Sequence, residues 1–220
     1  KVIMSDQVYL SEKRKKGIMG WYRFVPFMQC YHGVISLDHQ LTGSVVQDEK
    51  VYRFDDGVGY IEKDWGKSMP SSWIWIQSNS FSQKNSSFML SIANIPWMGS
   101  SFTGFLGFHL VDGKVHRFAT YTRAKCNLKP PCGDTFQITI TDKQYTYHIE
   151  TYRSQSGILK APLQGSMDRR ITESIDARLH LTVYDNENKI IFEDTTSISG
   201  LETVGNLEEL YPKKRKRKDK

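Results

Sequence analysis

Hydrophobic and polar residues alternate with a period of two along most of the chain after residue 20, and turn residues interrupt the alternation. This pattern is typical of antiparallel strands joined by hairpins. Three hairpins are predicted, over residues 102–121, 135–149 and 178–192. The first turns at Asp112-Gly113, a pair that supplies the positive φ angles preferred by tight turns between twisted strands. The pattern therefore predicts a chain built mainly of hairpins.

Further strands are predicted at residues 21–27, 31–37, 41–46, 51–54 and 88–95. One short helix is predicted, at residues 206–211 just before Pro212. So many short strands without intervening helices favour either a closed or nearly closed barrel or a two-layer sandwich. Because no linker or repeat divides the chain, we predict one all-β domain over residues 1–212, followed by a basic tail at 213–220.

The net charge of +6 comes from the tail. Residues 213–220 hold seven bases and one acid, which leaves 23 bases and 23 acids in the rest of the chain. A neutral body has no broad positive field for phosphate backbones, so nucleic-acid binding is expected at most through the tail. The tail itself is interpreted as a disordered solubilising terminus, with a nuclear-import signal or a polyanion-binding patch as the alternatives.

The length of the apolar stretches and the number of cysteines indicate the cellular setting that we expect for the protein. No apolar stretch approaches the roughly 20 residues that a spanning helix needs, and residues 1–10 do not resemble a secretory signal. Three cysteines are too few for a disulfide framework, so a reducing, cytoplasmic setting is expected. Cys126 and Cys132 favour unpaired thiols over a small disulfide loop. Because the chain does not begin with Met, we expect that native residues can precede Lys1.

The segment 71–81 is the most informative part of the chain, since its two faces differ in kind. One face carries two indoles, two amides and a phenyl ring, contributed by Trp73, Trp75, Gln77, Asn79 and Phe81. Flat apolar surface mixed with hydrogen-bonding groups is typical of small-molecule pockets. The alternative is a core strand whose amides cap neighbouring loops.

Glu62 and Asp64 lie just before this segment, separated from it by a loop that contains Pro70. They form either a solvated ion-pair cluster with Lys63 or a proton donor whose pKa an apolar environment tunes. His32 and His39 are seven residues apart and fall on opposite faces of a strand, so a shared metal is disfavoured. With no metalloprotease, serine-hydrolase or phosphate-loop motif in the chain, no metal and no cofactor are expected.

Two blocks of sequence resemble the tocopherol cyclase family. The first is Tyr-Ile-Glu-Lys-Asp-Trp-Gly at 60–66 with the segment 69–81, and the second combines residues 159–162, 179–184 and 197–202. The resemblance covers about residues 19–202. It implies a lipocalin-like β-barrel or a strongly curved β-sandwich, related to the carotenoid hydratases, with a further β-rich part upstream. The histidine-bearing segment 28–39 is similar to bacterial rather than plant members.

The resemblance also implies an activity, the closure of a prenylated hydroquinone to a chromanol. Alkene protonation requires a buried acid, a dry cavity and electron-rich rings. Glu62 or Asp64 is the candidate acid, and the candidate ligand-binding residues are Trp65, Trp73, Trp75, Gln77, Asn79, Phe81 and His32. The alternative is a carrier of a hydrophobic ligand, which needs no acid in its pocket. The expected partner is a hydrophobic small molecule, and peripheral membrane contact stays open.

Overall fold

The chain is almost entirely antiparallel β-sheet. A computed structural model describes residues 3–5, 17–26 and 28–211. The strands are β1 Ile3–Ser5, β2 Cys30–Thr42, β3 Ser44–Gln47, β4 Lys50–Arg53, β5 Gly57–Gly66, β6 Trp73–Ser78, β7 Ser87–Trp97, β8 Ser100–Val111, β9 Lys114–Ala119, β10 Lys125–Leu128, β11 Thr135–Thr141, β12 Tyr145–Tyr152, β13 Gly157–Leu163, β14 Ser166–Asp185 and β15 Ile190–Val204. Three short 3₁₀ helices join them, Gly20–Phe24, Thr120–Thr122 and Leu207–Leu210. The predicted all-β class is confirmed.

Ten strands form one large sheet in the order β10-β11-β12-β14-β15-β6-β7-β8-β9, with β13 paired to the side of β14. A second, smaller sheet has the order β1-β2-β5, and β3 and β4 form a separate hairpin. Within the described residues, β9 and β10 are edges of the large sheet and do not pair with each other. The sheet is therefore open.

Contacts between distant strands show that the large sheet is strongly curved. The rings of Phe118 on β9 and Tyr147 on β12 lie 4.7 Å apart, and those of His109 on β8 and Phe192 on β15 lie 4.6 Å apart. Phe118, Tyr147 and Phe192 belong to one apolar cluster whose buried members come from eight of the ten strands. The sheet thus wraps around a filled core, which matches the predicted curved architecture, without closing into a barrel.

All three predicted hairpins are confirmed, as are the strands at 51–54 and 88–95. Asp112 and Gly113 take φ angles of 50° and 69°, as the tight turn between β8 and β9 requires. The predicted helix is a 3₁₀ turn at Leu207–Leu210, where the side chain of Asn206 accepts a hydrogen bond from the Glu208 amide. The predicted strands at 31–37 and 41–46 are instead the continuous β2 and the short β3.

The strand predicted at 21–27 is wrong for its described part, because Gly20–Phe24 is a 3₁₀ helix. Gly20 has a φ of 57°, and a Cβ at this position would lie 2.7 Å from the Tyr121 ring, so the chain turns here against that ring. Pro26 then offers no amide hydrogen for a ladder. Hydrophobic spacing alone did not reveal this turn.

Strand β6 is covered on both faces. Ile74 and Ile76 point into the core of the large sheet, while Trp73 and Trp75 point to the opposite face. That opposite face is covered by β2 and β5, which bring Leu37 and Tyr60 against Met89 and Phe108. The large sheet and the small sheet therefore form two layers, and the candidate site lies between them.

Cys30, Cys126 and Cys132 are all free thiols, as the sequence favoured. The basic tail at 213–220 lies outside the described residues. Among the residues that the structure describes, no helix has the length and apolar character needed to cross a membrane.

Candidate functional site

A cavity of about 360 Å³ separates the two layers. Its wall combines sulfur-containing, aromatic and aliphatic side chains with four acidic side chains. The lining residues are Met19, Met28, Cys30, His32, Tyr60, Glu62, Asp64, Met69, Pro70, Trp73, Trp75, Ser91, Ala93, Ile95, Leu106, Glu173 and Glu202. The volume falls within the range of small-molecule sites.

His32, Glu62 and Asp64 form a cluster on the small-sheet wall. Strands β2 and β5 are antiparallel with His32 opposite Asp64, and alternation places Tyr60, Glu62 and Asp64 on one face of β5. His32 Nδ1 lies 2.7 Å from Asp64 Oδ1, and His32 Nε2 lies 3.5 Å from Glu62 Oε2. Strand pairing thus joins an imidazole to two carboxylates.

The Glu62 carboxyl is the more enclosed of the two, with 19% of its side chain exposed against 31% for Asp64. Burial raises the pKa of Glu62, and the charge of His32 and a hydrogen bond from Tyr60 offset this only in part. Tyr60 Oη donates to Glu62 Oε2 at 2.5 Å. A raised pKa favours the protonated carboxyl, the form that can donate a proton.

Two opposing effects act on the pKa of His32. Burial lowers its pKa, but the hydrogen bond to Asp64 and the charges of Glu62, Asp64 and Glu202 raise it by more, so the net shift is upward. The ring therefore favours the imidazolium form. This cation lies among the acids and partly balances their charge.

Glu202 and Glu173 line the same cavity from the large sheet, and sequence reasoning did not single them out. Glu202 on β15 pairs with Trp75 on β6 and with Glu173 on β14. Trp73 Nε1 donates to Glu202 Oε2 at 2.6 Å. Burial raises the pKa of Glu202 to about 7, and the charges of Glu173, Glu62 and Asp64 add to the shift against the Trp73 hydrogen bond. The only sequence signal was that Glu202 ends a block resembling the family.

Trp75 packs over Gly200 of the large sheet and lines the cavity together with the acids. A Cβ added to Gly200 would lie 2.6 Å from Trp75 Cζ3, so the missing side chain makes room for the indole. The buried Trp75 Nε1 has no hydrogen-bond partner within normal distance, although its dipole favours the Glu62 carboxylate. The ring thus presents an apolar surface beside the acids.

The other indole, Trp73, is held in place by Arg169. The Arg169 guanidinium carbon lies 4.8 Å from its ring centroid, and the same guanidinium donates to the Pro70 and Ser71 carbonyls at 2.5 and 2.6 Å. Arg169 therefore fixes both the indole and the loop that enters β6.

A narrow apolar extension of about 70 Å³ continues from the cavity. It shares Met19, Met28, Ser91, Ala93, Ile95 and Leu106 with the main cavity. Tyr22, Trp97 and Phe102 line its further part. The site therefore has a polar, acid-lined end and an apolar end.

The predicted site residues divide into two groups. His32, Glu62, Asp64, Trp73 and Trp75 all line the cavity. The remaining four, Trp65, Gln77, Asn79 and Phe81, are not among its lining residues.

Alternation and chain direction explain the second group. Trp65 follows Asp64, so it points to the other face of β5, where it stacks on Tyr31 at 5.7 Å. Asn79 and Phe81 lie beyond the end of β6, and Phe81 packs edge-on against Phe192 at 5.6 Å. Gln77 is still on β6, beside Gly200, and its Nε2 is buried without a partner.

The His32, Glu62 and Asp64 ligand atoms lie within 4.8 Å of one another, a spacing that also suits a cation. The short contact with Asp64 already uses His32 Nδ1. His32 Nε2, which has no hydrogen-bond partner, would be the nitrogen open to an ion when the ring is neutral.

Comparison with known proteins gives consistent matches. The model of the family described as "Tocopherol cyclase-like" matches residues 7–205. A protein named "Probable tocopherol cyclase, chloroplastic" from Oryza sativa subsp. japonica is 24% identical over 204 residues, 87% of this chain and 43% of that protein. "Tocopherol cyclase, chloroplastic" from Zea mays is 22% identical over 198 residues, 84% and 41% of the two chains.

Among solved structures, kievitone hydratase from Nectria haematococca aligns with a TM-score of 0.49 and 9% identity, over 80% of this chain and 53% of that one. The chain spans less than half the length of the two plant relatives.

Proposed function

Because the chain belongs to the tocopherol cyclase-like family, we propose that it binds a hydrophobic prenylated molecule and closes a prenylquinol to a chromanol by protonating an alkene. The observation that carries this proposal is the placement of Glu62, an acid with a raised pKa, on the wall of a cavity lined by two indoles. A carrier needs no such acid, and the position of Glu62 supports the enzyme.

The reaction moves two protons and breaks no carbon–carbon bond. The Glu62 carboxyl gives its proton to one alkene carbon, and the π electrons form the new C–H bond, leaving a tertiary cation. The phenol oxygen attacks that cation, and its O–H bond breaks as a base takes the proton. Since one proton enters and one leaves, the product is an isomer of the substrate.

The cavity offers what each stage needs. The face of Trp75 stabilises the cation, because an indole ring carries negative electrostatic potential on its face. Tyr60, His32 and Ser91 offer the polar atoms that would hold the quinol oxygens, in place of Gln77 and Asn79, which do not line the cavity. Asp64 holds His32 in one orientation, as a carboxylate commonly does for a catalytic imidazole.

The apolar extension fits the prenyl tail. Its shared wall of methionine and aliphatic side chains excludes water and adapts to a flexible chain. Exposed apolar residues lie beside its outer end, namely Trp97, Met98 and Trp21, whose ring centroid lies 4.2 Å from that of the lining residue Tyr22. We propose that this rim makes the peripheral membrane contact through which a lipid enters.

The test is to incubate the purified protein with prenylhydroquinones of different tail length and to detect the chromanol by chromatography and mass spectrometry. Glu62→Gln is expected to lower turnover at least 100-fold, and Asp64→Asn to lower it less. Glu187→Gln, an exposed change in a turn, serves as the matched control. Unchanged turnover in the Glu62 and Asp64 variants would contradict the acid assignment. Binding without any wild-type turnover would favour the carrier.

A further inference from the structure

The site holds acids on two separate walls. Glu62 and Asp64 belong to β5 in the small sheet, while Glu202 and Glu173 belong to β15 and β14 in the large sheet. All four line the same cavity, so a ligand between the layers meets a carboxyl group on each side. The proposed cyclisation needs one group to give a proton and another to take one.

We propose that Glu202 is the base of this site and takes the phenolic proton from the wall opposite Glu62. This inference rests on the proposed cyclisation. It assigns the two proton transfers to two layers of the fold, so that neither carboxyl has to reach both ends of the reacting ring.

The Trp73 indole prepares Glu202 for this role. Its Nε1 donates to Oε2 at 2.6 Å, which stabilises the carboxylate form and leaves Oε1 for the ligand. Arg169 holds the indole in place through its cation–π contact. The donor is therefore fixed before the substrate arrives.

The groups that face Glu202 set its proton affinity. Glu173 is its cross-strand neighbour, and the charges of Glu62 and Asp64 reach it across the cavity. His32 carries the opposite charge among these acids, and Tyr60 is held by Glu62. Burial and the charge of Glu173, with those of Asp64 and of Glu62 while it is ionised, bring the pKa of Glu202 to about 7, close to that of an efficient general base at neutral pH.

The bulge in β14 explains how Glu173 comes to face the cavity. The pairing with β15 shifts between Ser174 and Ala177. Beyond the shift, Ala177 and Leu179 point into the core, whereas Glu173, an odd-numbered residue before it, lines the cavity on the other face. The irregularity therefore aims a second carboxyl at Glu202.

The experiment measures the pH dependence of kcat for the wild type and three variants, with a prenylhydroquinone as substrate. The wild-type rate is expected to rise with pH through about 7, as Glu202 loses its proton. Glu202→Gln should lower kcat at least 100-fold and abolish this limb. Binding of a hydroquinone with a saturated tail, followed by tryptophan fluorescence, should change less than three-fold and shows that the variant is folded.

Two further variants should shift the rising part of the pH profile of kcat in opposite directions. Trp73→Phe removes the donor that favours the carboxylate, so the limb should move to higher pH. Glu173→Gln removes a neighbouring negative charge, so the limb should move to lower pH. A residue with a purely structural role would produce neither shift.

The outcomes separate the two proposals. An active wild type whose rising limb persists in Glu202→Gln, or does not move in the other two variants, overturns the role of Glu202 and leaves cyclisation standing. A wild type that forms no chromanol from any prenylhydroquinone overturns cyclisation and the role of Glu202 with it.

Discussion

His32 Nδ1 and Asp64 Oδ1 lie 2.7 Å apart across the pair of strands β2 and β5. The contact fixes which imidazole nitrogen carries its proton toward the carboxylate and leaves Nε2 facing Glu62 at 3.5 Å. It also raises the pKa of His32, against the opposing effect of burial. The pair therefore favours the imidazolium form of His32 at the acid-lined end of the cavity.

Asp64→Asn is expected to lower the pKa of His32, because the variant loses the hydrogen bond and the negative charge that favour the imidazolium. Measurement of the His32 ring signals by NMR over a pH series tests this. Asp176→Asn, an exposed change on β14, is the control and should leave His32 unaffected. A His32 titration that is the same in Asp64→Asn and the wild type would contradict the expectation.

Gly200→Ala is expected to push the Trp75 indole out of its place, since the new Cβ would lie 2.6 Å from Cζ3. Binding of a prenylated hydroquinone should weaken at least ten-fold, as measured by tryptophan fluorescence quenching. Gly157→Ala offers a matched control on another strand, where nothing lies within 4 Å of the added Cβ. Equal affinities in the two variants would show that Trp75 does not shape the site.

Glu202 makes stability depend on pH. Its folded-state pKa of about 7 lies above the ordinary value of 4.5, so the folded protein binds the extra proton between these two values. The resulting stabilisation is complete below pH 4.5 and is lost as pH rises through 7. As pH rises from 4.5 to 7, the free energy of unfolding of Glu202→Gln should increase relative to that of the wild type by up to about 3 kcal/mol.

Urea unfolding at pH 5 and pH 8 measures this difference, with Glu187→Gln as the exposed control. A constant difference between Glu202→Gln and the wild type at both pH values would mean that Glu202 has the same pKa folded and unfolded.

Phe118→Ala is expected to lower the free energy of unfolding by about 3–5 kcal/mol, because it removes a fully buried ring that joins β9 to Tyr147 on β12. Ile175→Ala, at a position with 74% of the residue exposed, should change it by less than about 0.5 kcal/mol. Denaturant unfolding curves of both variants provide the comparison. A small effect for Phe118 would mean that the curved sheet does not depend on this contact.

Local patterns were enough to predict the hairpins and the all-β class. The turn at Asp112-Gly113 needs only two residues, and the alternation on either side of it marks the strands. The strand predicted at 21–27 failed because its hydrophobic spacing does not reveal that Gly20 turns the chain against Tyr121, which lies far along the sequence.

Local patterns within single strands predicted part of the site, on β2, β5 and β6. Alternation placed Trp73 and Trp75 on one face, and both line the cavity. Alternation also places Asp64 and Trp65 on opposite faces of β5. The prediction treated both as site residues and so overlooked this difference. Glu173 and Glu202 reach the cavity through pairing between distant strands and through a bulge, and a single sequence specifies neither.

The two faces of β6 and β7 serve different ends. The even-numbered Ile74, Ile76 and Leu90 fill the core, while the odd-numbered Trp73, Trp75 and Ser91 touch the space where the ligand would lie. Evolution or a designer can therefore vary one set while keeping the other. A combinatorial library restricted to positions 75, 91 and 95 would change the cavity wall while leaving the main core and the buried Trp73 and Ala93 intact.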